Sequence, residues 1–267
     1  MSRFVKSFTI AALAGALIVP LSGTAAAQTA AYPVKHPKLI DNPLYKAGLL
    51  PKTTCKEPRV QRNNRTQARA YINAVAACLG KTWKQHLTKA GLPYKPAKVQ
   101  HMDRIPKKYC GFDVTVDSSQ AYYCAKTSTL VFQIGKDLMD DPSDLWLFHL
   151  VSSHYGMHVQ NMVGIEDAFQ AIPTSSKSEL SEQFRRHNLQ SDCFAAAFLK
   201  SVSPMRGRSG KDWNHLLTLV KGDAARASSE KRVMGKPANV RAWIKRGYAG
   251  GNPAACNSWS AASSQVA

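Results

Sequence analysis

The chain has 267 residues and contains no internal repeat, no CxxC pair and no cluster of Cys and His at metal-ligand spacing. These absences argue against a repeat architecture and a structural zinc knuckle. Acidic residues are scarce, 17 Asp and Glu against 36 Lys and Arg, for a formal net charge of +19. Long apolar runs are missing too. The most apolar stretch, Phe8 to Leu21, is short for a membrane span and is broken by Gly15 and Pro20. No cysteine lies near the small-residue stretch Ala25-Ala26-Ala27, so a lipid anchor on an N-terminal Cys is not expected.

What is present at the N-terminus has the form of a signal peptide. Arg3 and Lys6 make a positive start, Phe8 to Leu21 the apolar region, and Ala25-Ala26-Ala27 a cleavage site before Gln28. Residues 1–27 are therefore expected to be removed, leaving an extracytoplasmic protein, secreted or associated with the cell envelope, and not an integral membrane protein. The six cysteines suit three disulfides in an oxidising compartment. The positive charge suits an anionic neighbour such as cell-wall polymer or acidic lipid headgroups. Lys and Arg are nevertheless scattered, as solubility alone would require, and no specific nucleic-acid motif is present.

Along the chain, residues 28–54 carry Pro33, Pro37, Pro43 and Pro51 and read as an extended arm. Ile72, Val75, Leu79, Trp83 and Leu87 form one apolar stripe, which predicts a helix over 66–89. Cys55 before it and Cys78 within it are placed to pair and pin the arm to the body. A β-rich middle follows, with strands expected at Phe112 to Val116, Ala121 to Cys124 and Ser128 to Ile134. Asp117-Ser118-Ser119 reads as the turn joining the first two. Cys110 and Cys124 flank that hairpin at a separation suited to a cross-strand staple. A short helical piece is expected around Asp137 to Met139. Helices are then expected over 144–164, 178–199, 212–220 and 237–247, the last with Pro237 at its first position. The Ser/Ala-rich tail 260–267 reads as frayed. Helix, small sheet, then helices is an α+β pattern, and residues 55–259 suffice for one domain.

The helix over 144–164 organises the rest. Pro142, Ser143 and Asp144 supply a start and Gly164 a stop. It carries His149, His154 and His158. His154 and His158 are four apart, the spacing that places two imidazoles on one helix face, as in the zinc motif HExxH. Tyr155 stands where that motif needs its glutamate.

Four stretches resemble the neutral zinc metallopeptidases, secreted or membrane-anchored bacterial proteins. They are AYYCAKTSTLVF at Ala121 to Phe132, SSHYGMHVQN at Ser152 to Asn161, NLQSDCFAAAF at Asn188 to Phe198, and VRAWIKRGYAGGNPAACNSW at Val240 to Trp259. The likeness runs from Val99 to Trp259. It implies a zincin-like single domain: a small sheet, a buried active-site-type helix and further helices, stapled by disulfides. It also implies a Cys193–Cys256 bridge, because both cysteines match those of the family. The family's helix reads approximately A-H-E-Y-G-H-H-V-Q-N. On that register the first zinc-ligand histidine falls on Ser153, the catalytic glutamate on His154 and the second ligand on Met157. His158 matches the family's additional histidine, and the third ligand, a glutamate, falls on Asn188. Asp192, which would orient a ligand histidine, is retained as a relic. A protonated Ser, a Met thioether and a neutral Asn make a poor zinc set, and His154 removes the carboxylate base.

Two alternatives keep some chemistry. A register shifted by one residue would make His154 and His158 zinc ligands, with His187 as a third, but would leave no base. A serine triad of Ser153, His154 and Asp192 would need neighbours on a helix, which point about 100° apart, to meet. His101, His149 and His215 show no partner pattern and read as surface or satisfied core residues. The expectation is therefore an exported pseudo-peptidase with no cofactor. Its cleft lies between the opening helix and the strand Ser128 to Ile134, which is read as an edge able to pair with an extended peptide. Its partner would be a protein, a peptide or an anionic envelope component. The alternative is an altered metal-dependent peptidase that would carry zinc.

Overall fold

Prolines that look like extended-chain residues start the first two helical turns. The computed structural model describes residues 34, 36–114, 117–140, 145–225 and 231–267; the signal-peptide segment and the cap at Ser143 and Asp144 lie outside them. Helix α1 (Pro37–Ile40) and a 3₁₀ turn (Pro43–Lys46) each have Pro at the first positions, where its fixed φ suits a helix. The Asn42 side chain caps the second turn through Leu44 N–H and donates to the Lys38 and Val163 carbonyls. Leu39, Leu44 and Leu50 are buried. Of the arm expected to be extended, residues 36–54 are thus packed into the fold, because their leucines bury apolar surface that an open arm would expose.

Helix α2 (Arg65–Lys89) buries Ile72, Val75, Leu79, Trp83 and Leu87, the stripe read from the sequence, and Asn64 caps its start. Five strands follow: β1 (Lys98–Met102), β2 (Lys108–Tyr109), β3 (Phe112–Asp113), β4 (Gln120–Cys124) and β5 (Thr129–Gln133). The main sheet has the order β1-β5-β4, with β5 parallel to β1 and antiparallel to β4. Two expectations need correction. Among the described residues the strand at Phe112 pairs with β2, and not with β4, in a small two-stranded unit of its own; Thr115 and Val116, the end of the expected strand, lie outside them. And β5 is central, not an edge, so it has no free side for a peptide. Its full burial shows why: all five residues are buried, as a strand covered on both faces requires. Strand β1, missed in the sequence, has the alternating exposure of an edge.

Helix α3 (Leu145–Met162) is the buried helix expected over 144–164, and Gly164 adopts a positive φ of 74° beyond its end. A short helix α4 (Ile165–Ala171) precedes α5 (Lys177–Val202), α6 (Gly210–Leu219) and α7 (Pro237–Gly250). Gly156 is where α3 meets α5: a Cβ there would lie 2.8 Å from the Ser191 carbonyl oxygen. The piece expected at Asp137 to Met139 is a turn, not a helix.

Three disulfides tie the elements together, Cys55–Cys78, Cys110–Cys124 and Cys193–Cys256. The buried Arg186 guanidinium donates to the Ser258 and Ala261 carbonyls and pairs with Glu182 at 2.7 Å. Residues 263–265 form a 3₁₀ turn, Val266 is fully buried, and Trp243 Nε1 donates to the Gln265 carbonyl. The tail read as frayed is therefore packed, because these backbone bonds and Val266 hold it. Among the described residues no helix is long and apolar enough to cross a membrane. The result is a single-domain α+β fold with three disulfides.

Candidate functional site

One face of α3 carries His149, Ser153 and Met157 at successive four-residue steps. It packs against α5, which presents Asn188, Ser191 and Asp192. Ser153 Oγ donates to Asp192 Oδ1 at 2.8 Å and lies 3.3 Å from Ser191 Oγ. His149 Nε2 approaches the same carboxylate oxygen at 3.3 Å. His149 is 4 % exposed, and its Nδ1 has no hydrogen-bond partner among the described residues. Ser191 Oγ in turn donates to the Asn188 carbonyl. Asp192 thus holds Ser153 and His149 in one buried polar cluster.

Asn188 faces a different partner. Its Nδ2 donates to the Val233 carbonyl at 2.8 Å and lies 3.4 Å from the Met234 sulfur. That strap is itself fixed, because the Asp223 carboxylate accepts from the N–H groups of Val233, Met234 and Gly235 at 2.9–3.0 Å. Met157 is half-buried and packs against the main apolar core.

The histidines proposed as fallback ligands are engaged elsewhere. His154 has Nδ1 2.8 Å from the Leu150 carbonyl and Nε2 2.9 Å from that of Ala121 in β4. Burial lowers its pKa, and the two carbonyl contacts only partly offset this. His158 is fully buried. Its Nε2 lies 2.7 Å from the Lys95 carbonyl, which can only accept, so Nε2 carries the proton. Nδ1 then accepts from the Tyr123 hydroxyl at 2.9 Å, and that oxygen accepts from Asn161 Nδ2 at 2.7 Å. Burial lowers the His158 pKa and pushes that of Tyr123 up to about 12, which keeps both neutral. His187 Nε2 sits 2.7 Å from Glu166 Oε2, and its ring stacks on Phe169 at 4.9 Å. Burial pushes the Glu166 carboxyl up, but the hydrogen bond and charge of His187 hold it below its ordinary value.

Ser153, His154 and Asp192 do not form a triad: the imidazole points to backbone carbonyls while the hydroxyl meets the carboxylate directly. In the cluster that does form, the carboxylate stands between Ser153 and His149, whereas an activated serine needs the imidazole in the middle. Among the described residues no three Asp, Glu, His or Cys side chains form a group that could hold a metal ion.

The sequence profile of the family described as "Putative neutral zinc metallopeptidase" matches residues 47–259. The chain belongs to this family. The uncharacterized protein YpfJ of Escherichia coli strain K12 is 24 % identical over 211 residues, covering 73 % of each chain. The protein of the same name from Escherichia coli O6:H1 matches to the same extent. No solved structure matches the chain.

Within the neutral zinc metallopeptidase family, zinc is the implied metal, and the donor chemistry here does not fit it. Ser153 keeps its hydroxyl proton and donates it in a hydrogen bond to Asp192, and Asn188 is a neutral amide donating to the Val233 carbonyl. Met157 offers a thioether, which prefers softer metals. His149 read from the sequence as a surface or satisfied core residue without a partner pattern; it is buried, and its partner is Asp192. Its place one turn before Ser153 was the available signal, and it went unused because no motif includes that position. Asp223 and the strap 231–235 gave no signal, since they reach Asn188 only through tertiary contact.

Proposed function

We propose that this metallopeptidase-family protein is an exported pseudo-peptidase that serves as a binding or scaffold module at the cell envelope. The observation that carries the reading is that the former ligand positions already have partners inside the protein. Ser153 is bonded to Asp192 and Asn188 to Val233 and Met234, and the base position His154 has its two ring nitrogens 2.8 and 2.9 Å from backbone carbonyls, one of which takes its N–H. A polar group with a buried partner must lose that bond before it can take up a ligand or water. The three disulfides and the strongly basic charge support an extracytoplasmic place beside anionic material. The bound component would be a protein, a peptide or an anionic envelope polymer.

The test is metal analysis of the purified protein before and after chelation, run beside hydrolysis of an unstructured protein substrate. The expected result is no stoichiometric zinc and no chelator-sensitive hydrolysis. Zinc that co-purifies and is lost in His158→Ala would overturn the proposal in favour of a metal-dependent peptidase using His154 and His158. Affinity capture from the envelope fraction would then name the partner. Recovery only from soluble cytoplasmic extract would remove the envelope part of the reading.

A further inference from the structure

Among the described residues two large apolar side chains are exposed, Leu49 and Phe112. Phe112 is followed by the exposed Asp113, whereas Leu49, 70 % exposed, lies where carboxylates are missing. Its turn is firmly held. Leu44 and Leu50 are buried on either side, and Leu50 N–H donates to the Gly251 carbonyl at 3.0 Å. The buried His86 imidazole bonds to the Leu49 backbone, and Thr53 N–H donates to the Ser201 carbonyl at 3.1 Å. A single exposed leucine is ordinary. This one borders a pair of aromatic rings. A Cβ at Gly251 would stand 3.3 Å from Lys200 Cγ and 3.8 Å from Leu49 Cδ2, so both side chains pack over that glycine. Lys200 Nζ lies 5.2 Å from the centre of the Tyr248 ring, and Tyr248 stacks on Trp213 at 4.4 Å. Both rings are half-buried, with one part against the core and one part in solvent.

The charge around Leu49 has one sign. Four stretches of chain meet there, 42–56, 81–92, 193–211 and 236–251, and they contain many Lys and Arg but no Asp or Glu. Of the carboxylates that border them, Glu57 and Asp212 pair with Arg208, Asp41 pairs with Lys46, and Asp192 belongs to the buried cluster with Ser153. Lys52 Nζ lies 3.3 Å from the Ser203 carbonyl, and Lys245 stands one turn before Tyr248 on α7. Lys52, Lys200 and Lys245 are exposed, and none pairs with a carboxylate among the described residues. An uncompensated positive field therefore surrounds an apolar tip and two amphipathic rings. Tyr and Trp favour the boundary between water and lipid, and lysine stems lie along apolar surface while their ammonium groups reach anionic headgroups.

We propose that this face docks on the surface of an anionic lipid bilayer. Leu49 enters the boundary between headgroups and acyl chains, Trp213 and Tyr248 lie at headgroup level, and Lys52, Lys200 and Lys245 meet the phosphates. This narrows the envelope partner to lipid, so it rests on the envelope location proposed above and on nothing at the former metal site. The test is co-sedimentation with vesicles of phosphatidylcholine alone or mixed equally with phosphatidylglycerol. Protein beginning at Gln28 is used, so that the leader itself cannot enter lipid. Binding to the mixed vesicles is expected to be about tenfold or more tighter, and to weaken as salt is added. Leu49→Ser is expected to weaken it about tenfold and leave the unfolding midpoint unchanged. Lys200→Gln combined with Lys245→Gln is expected to weaken it by about tenfold or more. The same change of charge at Lys107 and Lys108, exposed at β2, is expected to alter it by less than about twofold. The proposal fails if the mixed vesicles do not sediment the protein, or if the two lysine pairs weaken binding equally. It also fails if Leu49→Ser binds as the parent does, which is the behaviour of a site for a soluble anionic polymer. None of these readouts involves zinc or hydrolysis, so a failure here leaves the pseudo-peptidase reading to its own test.

Discussion

Replacing His158 by alanine separates a structural histidine from a metal ligand. The imidazole is fully buried and bonds to two groups, the Lys95 carbonyl at 2.7 Å and the Tyr123 hydroxyl at 2.9 Å. It also packs edge-on against the rings of Tyr123 and Tyr155, with centroids 5.5 and 5.3 Å away. Leaving a buried polar group without its partner costs about 1–3 kcal/mol. The Lys95 carbonyl loses its imidazole donor outright, while the Tyr123 hydroxyl keeps Asn161 on its other side. With the cavity left by the ring, the expected loss is about 3–5 kcal/mol. That is a large part of the roughly 5–15 kcal/mol by which a domain is stable. Equilibrium urea unfolding reads this as a lower midpoint with an unchanged slope. The same titration with a chelator is the control, since a metal bound to the native state would add stability that chelation removes. A loss below about 1 kcal/mol would refute the hydrogen-bond reasoning. So would a chelator that destabilises the parent protein as much as the substitution does.

Further outcomes follow from the same geometry. Burial lowers the pKa values of His86, His101, His154 and His158, so the folded chain resists protons that the unfolded chain accepts near the ordinary value of about 6.5. Their contribution is full above that pH and is lost as the pH falls below it. Thermal midpoints should therefore drop on going from pH 8 to pH 5 (roughly the span of histidine titration), and a rise would contradict the assignment. Replacing Cys193 and Cys256 with serine opens a loop spanning 63 residues. Chain entropy puts the loss at about 4 kcal/mol, to be read from the denaturant midpoint under non-reducing conditions. Finally, a variant carrying Ser153→His, His154→Glu, Met157→His and Asn188→Glu should gain about one zinc per chain by metal analysis. It has Asp192 in place beside the first new ligand, and failure to gain metal would reject the register on which Ser153 and Met157 are the former ligand sites.

Much of the fold was legible because it rests on local periodicity. The stripe Ile72-Val75-Leu79-Trp83-Leu87 repeats every three to four residues, so helix α2 was readable to within a residue of its start. Helix α3 was readable in the same way, and strands β4 and β5 from their β-branched and aromatic runs, although β4 was expected to pair with the strand at Phe112 and not with β5. What stayed hidden was non-local. Strand β1 pairs in parallel with β5 from the far side of the small β2–β3 unit, and that partnership turns β5 from an edge into the centre of the sheet. The arm and tail gave no period, and Leu39, Leu44 and Val266 became core only when other elements closed over them.

The candidate site divides in the same way. The sequence by itself determined that the helix carries Ser153, His154 and Met157, because residue identity settles which atoms are available as donors. Only the tertiary structure decided where those donors go. It brought Asp192 to Ser153 and His149 across the α3–α5 contact at Gly156, and the strap at Val233 to Asn188. It also placed His158 between Tyr123 and Lys95. A hydrogen bond is made between groups that folding brings together, and four-residue spacing on one helix says nothing about what stands opposite.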